Sequence, residues 1–256
     1  TLTGHALQEH ASEILHKVDA VSLDLDRVDN ARIPLLRIGL LPSLATLLTP
    51  VLIDQAQSAY RIENISLYAD LANVHQHLIQ TRQVDLLVTS RPFYDLDGLV
   101  RQPLLEENFC LVLPPDYDAF DGDLERLAAG LPMIRFSAST PAGLHIDQHL
   151  RRCRVQIPRG LDADRTTMIM AAVAAGQGFS ILSPTLLLDG IIEGMQLSIL
   201  PLPLKPLARS VILVNREDEL GDLPLLLGTA IQSRIRSALE LLDPVARNAT
   251  RFGIEA

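Results

Sequence analysis

The chain has no tryptophan and only two cysteines, Cys110 and Cys153. Their separation fits neither a metal site nor a dithiol motif, and a reducing cytoplasm suits them. Cys110 lies in the apolar run Phe109–Leu113 and reads as a small buried hydrophobe. Cys153 is flanked by arginines that could lower its pKa, but no resolving-cysteine pattern supports a peroxide-sensing pair. Long apolar runs are missing too: none reaches the ~18 residues that a membrane span needs. Basic charge is scarce, with 22 Lys and Arg against 31 Asp and Glu, a net charge of −9. Duplex DNA is bound by clustered Lys and Arg, and only Arg151, Arg152 and Arg154 come near to a cluster. These residues are therefore not expected to grip DNA, which leaves open a DNA-binding domain ahead of them. The segment Thr1–Arg32 lacks a signal-peptide layout. Because the chain starts without methionine, it is expected to be a fragment of a longer protein.

Enzymatic motifs are missing as well. There is no Walker loop, nucleophile elbow or paired-carboxylate arrangement. Gly176-Gln177-Gly178 follows a helix and enters a strand, the reverse of a dinucleotide fingerprint. His145 and His149 stand one helical turn apart with Asp147 between, a spacing that could hold a metal. Ile146, Leu150 and Cys153 mark the buried stripe there, so both histidines are expected on solvated flanks. His75 and His77 do not face one another on a helix. No enzyme, metal or cofactor is expected.

What is present is an ordinary globular composition, 48% hydrophobic and 21% charged, in 256 residues, enough for two lobes with separate cores. The first segment places Leu7, Ala11, Ile14, Val18, Val21, Leu25 and Val28 at alternating steps of four and three. That is a heptad seam, and it predicts a long helix that dimerises. Thr3 is a plausible N-cap, and Asn30 with Pro34 marks the end.

After Pro34 strands and helices alternate. Strands are predicted at 35–40, 62–67 and 85–90, with helices at 44–59 and 70–83, an order that implies a parallel sheet. Leu44, Leu47, Leu48, Val51 and Leu52 form the inward face of the first helix; Leu71, Val74 and Leu78 form that of the second. Strands at 100–105 and 109–113 lead to Pro114-Pro115, taken as the first crossing into another lobe. That lobe holds helices near 124–129 and 142–153 and strands at 133–136 and 197–202. The prolines at 201, 203 and 206 mark the return, before a strand at 211–214 and a helix at 223–242.

Arg165 to Pro184, RTTMIMAAVAAGQGFSILSP, carries the most specific pattern. Met168, Ala171, Ala172 and Ala175 recur at helical spacing and predict a face packed closely on a sheet. Gly176 suits a left-handed C-cap, Gly178 a second permissive joint, and Phe179–Leu182 a buried strand closed by Ser183-Pro184. A small-residue helix, Ala-Ala-Gly-x-Gly, an apolar strand and a proline together resemble the effector-binding domain of LysR-type transcriptional regulators. Leu2-Thr3-Gly4 before the heptad seam resembles the end of that family's winged helix-turn-helix, with a shorter spacing to glycine.

The resemblance covers nearly the whole chain and implies an α/β architecture. Two lobes of Rossmann-like βα units, the type II periplasmic-binding-protein fold, would follow a long dimerisation helix. Its domains would be a linker helix at 1–33, lobe I at 34–115 and 207–245, and lobe II at 116–206. It implies a cytoplasmic homodimer or homotetramer that reads DNA through the missing domain and binds a small-molecule effector between lobes. A solute-binding protein of a transporter shares the fold and is the rival reading.

Ligands of open α/β sheets lie beyond the C-terminal strand ends, near helix N-termini. Pro42-Ser43, Thr89-Ser90-Arg91 and Phe136–Thr140 fall at such points. Their hydroxyls and guanidinium suit an anion, most simply a carboxylate. Carried over from the family, the effector contacts are Ser43, Leu44, Ser90, Arg91, Ser137, Ser139, Thr140, Gly178 and Phe179. Ser43, Ser139 or Thr140 could equally serve only as helix caps. Arg135 is a lesser candidate. Where the family usually offers small hydroxyls after strand two, this chain has Asp70-Leu71-Ala72, which hints at a more apolar effector.

Overall fold

The computed structural model describes residues 32–59, 61–158, 160–192 and 194–253. The expected heptad seam, Leu7 to Val28, lies outside the described residues. The chain divides into two compact units, each assembled from separate stretches. Unit 1 takes the residues up to Leu104 together with Val211–Arg234, and unit 2 takes Leu105–Ser210 with Ile235–Gly253.

Unit 1 begins with β1 (Arg32–Leu40), α1 (Pro42–Ala59), β2 (Arg61–Ala69), α2 (Ala72–Gln80) and β3 (Leu86–Thr89). β1 is central and pairs in parallel with β2 on one side and β3 on the other, as the alternating pattern predicts. β10 (Ala208–Arg216) runs antiparallel along β3, with Ile212 opposite Thr89, and β4 (Leu99–Asn108) lies beyond it. In β1, Leu36, Ile38 and Leu40 are fully buried while Leu35 is exposed, the period of two expected of a strand with one packed side. α1 buries Leu44, Leu48, Leu52 and Ala56 in an i, i+4 stripe; Leu47 and Val51 are only half-buried. Each fully buried leucine contributes on the order of 2 kcal/mol.

α2 departs from its expected face. Ala72, His75 and Ile79 point inward, whereas Leu71, Val74 and Leu78 are half-buried. The helix starts at Ala72 after an extended Leu71, and its buried stripe lies one residue on from the expected one. Ile79 then joins Val84, Leu87, Phe93, Leu99, Ile212 and Val214 in one apolar cluster.

Unit 2 is built around β5 (Cys110–Leu113), whose four residues are all buried. β5 is the middle strand of an antiparallel sheet with β8 (Ser180–Leu182) and β9 (Ser198–Pro201). A parallel pair, β6 (Ile134–Phe136) and β7 (Leu161–Ala163), is linked toward β8 by the Met133–Phe179 bridge, between the residues that precede β6 and β8. The helices of this unit are α3 (Leu124–Gly130), α4 (Pro141–Arg152), α5 (Thr166–Ala174) and α6 (Pro184–Gly190). α7 (Leu223–Leu239) runs from unit 1 into unit 2, and α8 (Pro244–Asn248) follows it. β11 (Thr250–Phe252) pairs antiparallel with Leu105–Glu107 of β4.

Two expectations are corrected here. First, the chain enters unit 2 at Leu105, not at Pro114-Pro115, because every hydrogen-bonded partner strand of β5 belongs to unit 2. The return falls at Val211 rather than 207, and Ile235–Gly253 belongs to unit 2. Second, α5 packs through Thr166, Ile169, Met170 and Val173, while Met168, Ala171 and Ala175 are exposed. The face with Ile169, Met170 and Val173, not the one with Met168 and the alanines, took the core. Ser183-Pro184 closes β8 as expected and also opens a helix: Pro184 sits in the first turn of α6, where its missing N–H costs nothing.

Candidate functional site

At the edge of the unit 1 sheet the register fixes what lies together. Leu40 stands opposite Val88 in β3 and Ala69 in β2, so all three parallel strands end side by side. The Leu41 N–H donates to the Val88 carbonyl at 3.1 Å and the Asp70 N–H to the Leu40 carbonyl at 3.1 Å. Ser43, Ser90-Arg91 and Asp70 therefore leave from one edge. Pro42 opens α1, and Leu41, its predecessor, has no side-chain oxygen to cap the helix. The Leu44 N–H turns back to the Leu41 carbonyl at 2.9 Å, whereas the Ser43 N–H has no partner among the described residues. Ser43 is buried, Ser90 half-buried and Arg91 exposed. The Arg91 guanidinium stands 5.9 Å from the Phe93 ring centroid. Among the described residues no hydrogen bond engages Ser43 Oγ, Ser90 Oγ or the Arg91 guanidinium. Leu44 is different: its side chain is fully buried and serves the core.

Beneath this edge lies His75, fully buried, with neither ring nitrogen hydrogen-bonded. Burial pushes its pKa down to about 4, against the opposing pull of Asp70 and the Leu40 and Asp70 carbonyls. It is a neutral imidazole at ordinary pH.

In unit 2 the hydroxyl cluster after β6 is already at work. Thr140 Oγ1 accepts the Gly143 N–H at 3.1 Å and donates to the Ser137 carbonyl at 2.8 Å. It is the N-cap of α4, with Pro141 following in the first turn. Ser137 Oγ and Ser139 Oγ are 2.8 Å apart, and the Ser137 N–H donates to the Ala163 carbonyl at 2.8 Å. Gly143 is required here: a Cβ would lie 2.2 Å from the Ser137 carbonyl oxygen. Gly178 and Phe179 are not brought to this cluster. The Ile134 N–H donates to the Phe179 carbonyl at 2.7 Å, and Phe179 N–H to the Pro132 carbonyl at 3.0 Å, which sets them at the opposite end of β6. Phe179 is fully buried, and a Cβ on Gly178 would lie 2.4 Å from the Pro132 carbonyl oxygen. Close packing, not a flexible joint, explains this glycine; Gly176, with φ of 76°, is the left-handed cap expected.

Arg135 is buried, pairs with Asp147 and donates to the Ile157 carbonyl at 2.7 Å. It ties β6 to α4 and is not free for a ligand. The expected solvated histidine pair is also corrected. His149 is buried with Nε2 3.5 Å from Cys153 Sγ, and His145 is half-buried with its ring centroid 6.0 Å from that of Phe109. Burial and then the Arg152 charge lower the pKa of both. α4 turns Gly143, Ile146, His149 and Leu150 inward, a broader face than the apolar residues alone define. No cluster of three metal-binding side chains occurs among the described residues. Cys110 is buried as expected, its thiol pushed up to about 12 by burial and then by the charges of Glu107 and Asp243.

One polar centre had no signature in the sequence. Glu107, fully buried, accepts from Ser183 Oγ at 2.8 Å, from the Thr185 N–H at 2.8 Å and from Thr185 Oγ1 at 2.7 Å. Arg209 Nε completes it at 2.6 Å. Every partner is internal, so this pair braces β4, β10 and α6 within unit 2; removing one member would cost about 3–5 kcal/mol.

The family profile described as LysR substrate binding domain matches residues 31–226. The chain belongs to that family. Among curated proteins, none matches it in sequence. Among solved structures it is similar to a mutant OxyR of Corynebacterium glutamicum, at 20% identity and a TM-score of 0.66, over 94% of this chain and 78% of that one. It is similar to a reduced form of OxyR from N. meningitidis, at 20% identity and a TM-score of 0.60, over 86% of this chain and all of the other. The BenM effector-binding domain with its effector benzoate shares 17% identity at a TM-score of 0.62, over 82% and 96% of the two chains. At these identities the structures establish the fold, a type II periplasmic-binding-protein-like α/β architecture. Membership of the LysR family makes this chain the ligand-sensing regulatory domain of a LysR-type transcriptional regulator and sets aside a transporter's solute-binding protein. The family comprises regulators of transcription rather than enzymes. No helix among the described residues is long and apolar enough to cross a membrane.

Proposed function

We propose that this LysR-family domain senses a small anionic metabolite, most simply a carboxylate, at the C-terminal edge of the unit 1 sheet. The observation that carries this reading is the unengaged donor set there: Ser43 Oγ and N–H, Ser90 Oγ and the Arg91 guanidinium, on adjacent strand ends. A helix start and a guanidinium both favour negative charge. Asp70 at the same edge opposes it, which restricts the anion to the Ser43–Ser90–Arg91 side. In unit 2, Ser137 and Ser139 bond each other, and the proposal leaves them a secondary role with at most one hydroxyl hydrogen to offer a ligand there. Leu44, Thr140, Gly178 and Phe179 support the two edges through packing and capping.

In this reading the effector shifts a conformational equilibrium by its differential affinity for two states. The seam from Leu7 to Val28 joins two copies into a dimer, or four into a tetramer. A preceding winged helix-turn-helix reads DNA in the cytoplasm.

The test is dye-monitored thermal denaturation, since the chain has no tryptophan, with acetate, succinate, benzoate and citrate. A carboxylate at 100-fold over its Kd adds about 2.7 kcal/mol of stability. Arg91→Ala is expected to weaken that carboxylate at least about tenfold, the scale of a charge-assisted hydrogen bond. A carboxylate response undiminished by Arg91→Ala, or none from any carboxylate, overturns the proposal.

A further inference from the structure

Unit 2 carries an open pocket of about 410 Å³, separate from the candidate effector contacts described above. Its floor is Phe109 and Cys110 at the start of β5, and its walls are the β9–β10 loop and α8. Pro201 and Pro206 stiffen the loop wall, since each ring fixes φ. Both walls are pinned to the floor by backbone hydrogen bonds. The Phe109 N–H donates to the Leu207 carbonyl at 2.8 Å, and the Asn108 N–H to the Ala249 carbonyl at 2.9 Å. α8 is itself anchored by its cap, Asp243 Oδ1 accepting the Val245 N–H at 2.8 Å. The cavity is thus preformed, of a size that holds small ligands, and lined mainly by carbon.

Charge decides the ligand class. No charged side chain lines the cavity, and its polar side chains are the Asn108 and Asn248 amides and the Cys110 thiol. The nearest buried carboxylate, Glu107, is already paired with Arg209, so it offers a ligand no charge to meet. An anion entering would lose its hydration and meet no charged side chain among the lining residues. A neutral ring would lose only apolar hydration, and an amide could take its one polar hydrogen.

We infer that this cavity is a second ligand site, selective for an uncharged, ring-sized apolar molecule carrying a single hydrogen-bonding group. It is independent of the anion site proposed for unit 1, so the domain would take two chemically unlike ligands.

The probe is indole, with indole-3-carboxylate as the charged counterpart, titrated into the full chain and followed by methyl NMR of Leu and Val. Saturable shifts are expected at Leu202, Leu204, Leu207 and Val245, with indole-3-carboxylate at least about tenfold weaker at these methyls. Ala249→Phe, which fills the cavity, is expected to abolish them, and Asn248→Leu, at an exposed position, to weaken indole several-fold without touching the fold. Arg91→Ala should retain indole binding, which separates this site from the anion reading. Absence of saturable shifts at these methyls overturns the inference. So does equal binding of the carboxylate there, or indole affinity undiminished in both Ala249→Phe and Asn248→Leu.

Discussion

The two units treat the same sequence feature in opposite ways. Each has a strand that runs into a helix whose first turn contains a proline, Pro42 in one and Pro141 in the other, with hydroxyl residues close to that proline, Ser43 after the one and Ser137 to Thr140 before the other. In unit 2 the hydroxyls are consumed by the fold: Thr140 caps α4 and Ser137 bonds Ser139. In unit 1 the cap position is Leu41, which accepts only through its carbonyl, and Ser43 is left with donors to spare. A serine or threonine before a helix is therefore ambiguous until its offset from the first turn is known. At the N-cap it satisfies the helix; one or two residues inside, it is free for something else.

The most severe way to break the comparison is through a closely packed glycine in each unit. In unit 2, Gly143→Ala places a methyl 2.2 Å from the Ser137 carbonyl oxygen and 2.6 Å from that of Phe136, both backbone atoms that cannot step aside. A loss of about 3 kcal/mol or more is expected, measured by urea denaturation. In unit 1, a methyl on Gly39 would meet Leu87 Cδ2 at 2.5 Å, the end of a flexible side chain. Gly39→Ala should cost only about 1 kcal/mol. Equal costs would show that the strand–helix joint of unit 2 is not the rigid one.

Below that in size comes the pH dependence of unit 1. His75 has its folded pKa lowered from 6.5 to about 4 by burial, so the unfolded chain takes up a proton before the folded one does. The stability tied to its neutral state is complete above pH 6.5 and is lost as pH falls through about 4. Between pH 7 and pH 4.5 the loss should be on the order of 2 kcal/mol. His75→Leu should flatten that part of the urea-measured profile. A variant with the wild-type slope would mean that other groups carry it.

How far the sequence reached follows the same division. Parallel pairing of β1, β2 and β3 was legible because long apolar strands alternate with helices on a regular period, and Gly176 was legible because a helix end needs a left-handed residue. What stayed hidden depended on partners remote in sequence. β5 reads as one more strand of the first lobe until β8 and β9, at least 67 residues on, claim its hydrogen bonds. Glu107 looks like a surface acid beside Glu106, yet Ser183, Thr185 and Arg209 surround it. Phe179 was assigned to a ligand through resemblance, and its full burial beside the Met133 bridge shows that it is core. For the candidate contacts the residue types were readable but not whether each was already engaged.

The finest distinction is between Thr140 and Ser43, and it tests the opening contrast directly. Thr140→Ala removes a cap whose oxygen serves the Gly143 N–H, so the expected cost is about 1 kcal/mol, visible in urea denaturation without any ligand. Ser43→Ala removes a hydroxyl that no described residue uses, so stability should stay within about 0.5 kcal/mol of wild type. The carboxylate response should move in the opposite sense, weakened several-fold by Ser43→Ala and retained by Thr140→Ala once its lower melting temperature is subtracted. If instead Ser43→Ala destabilises the ligand-free chain as much as Thr140→Ala does, then Ser43 is a structural hydroxyl. The unit 1 edge would then be satisfied internally like its counterpart, and Arg91 would have to carry the anion alone.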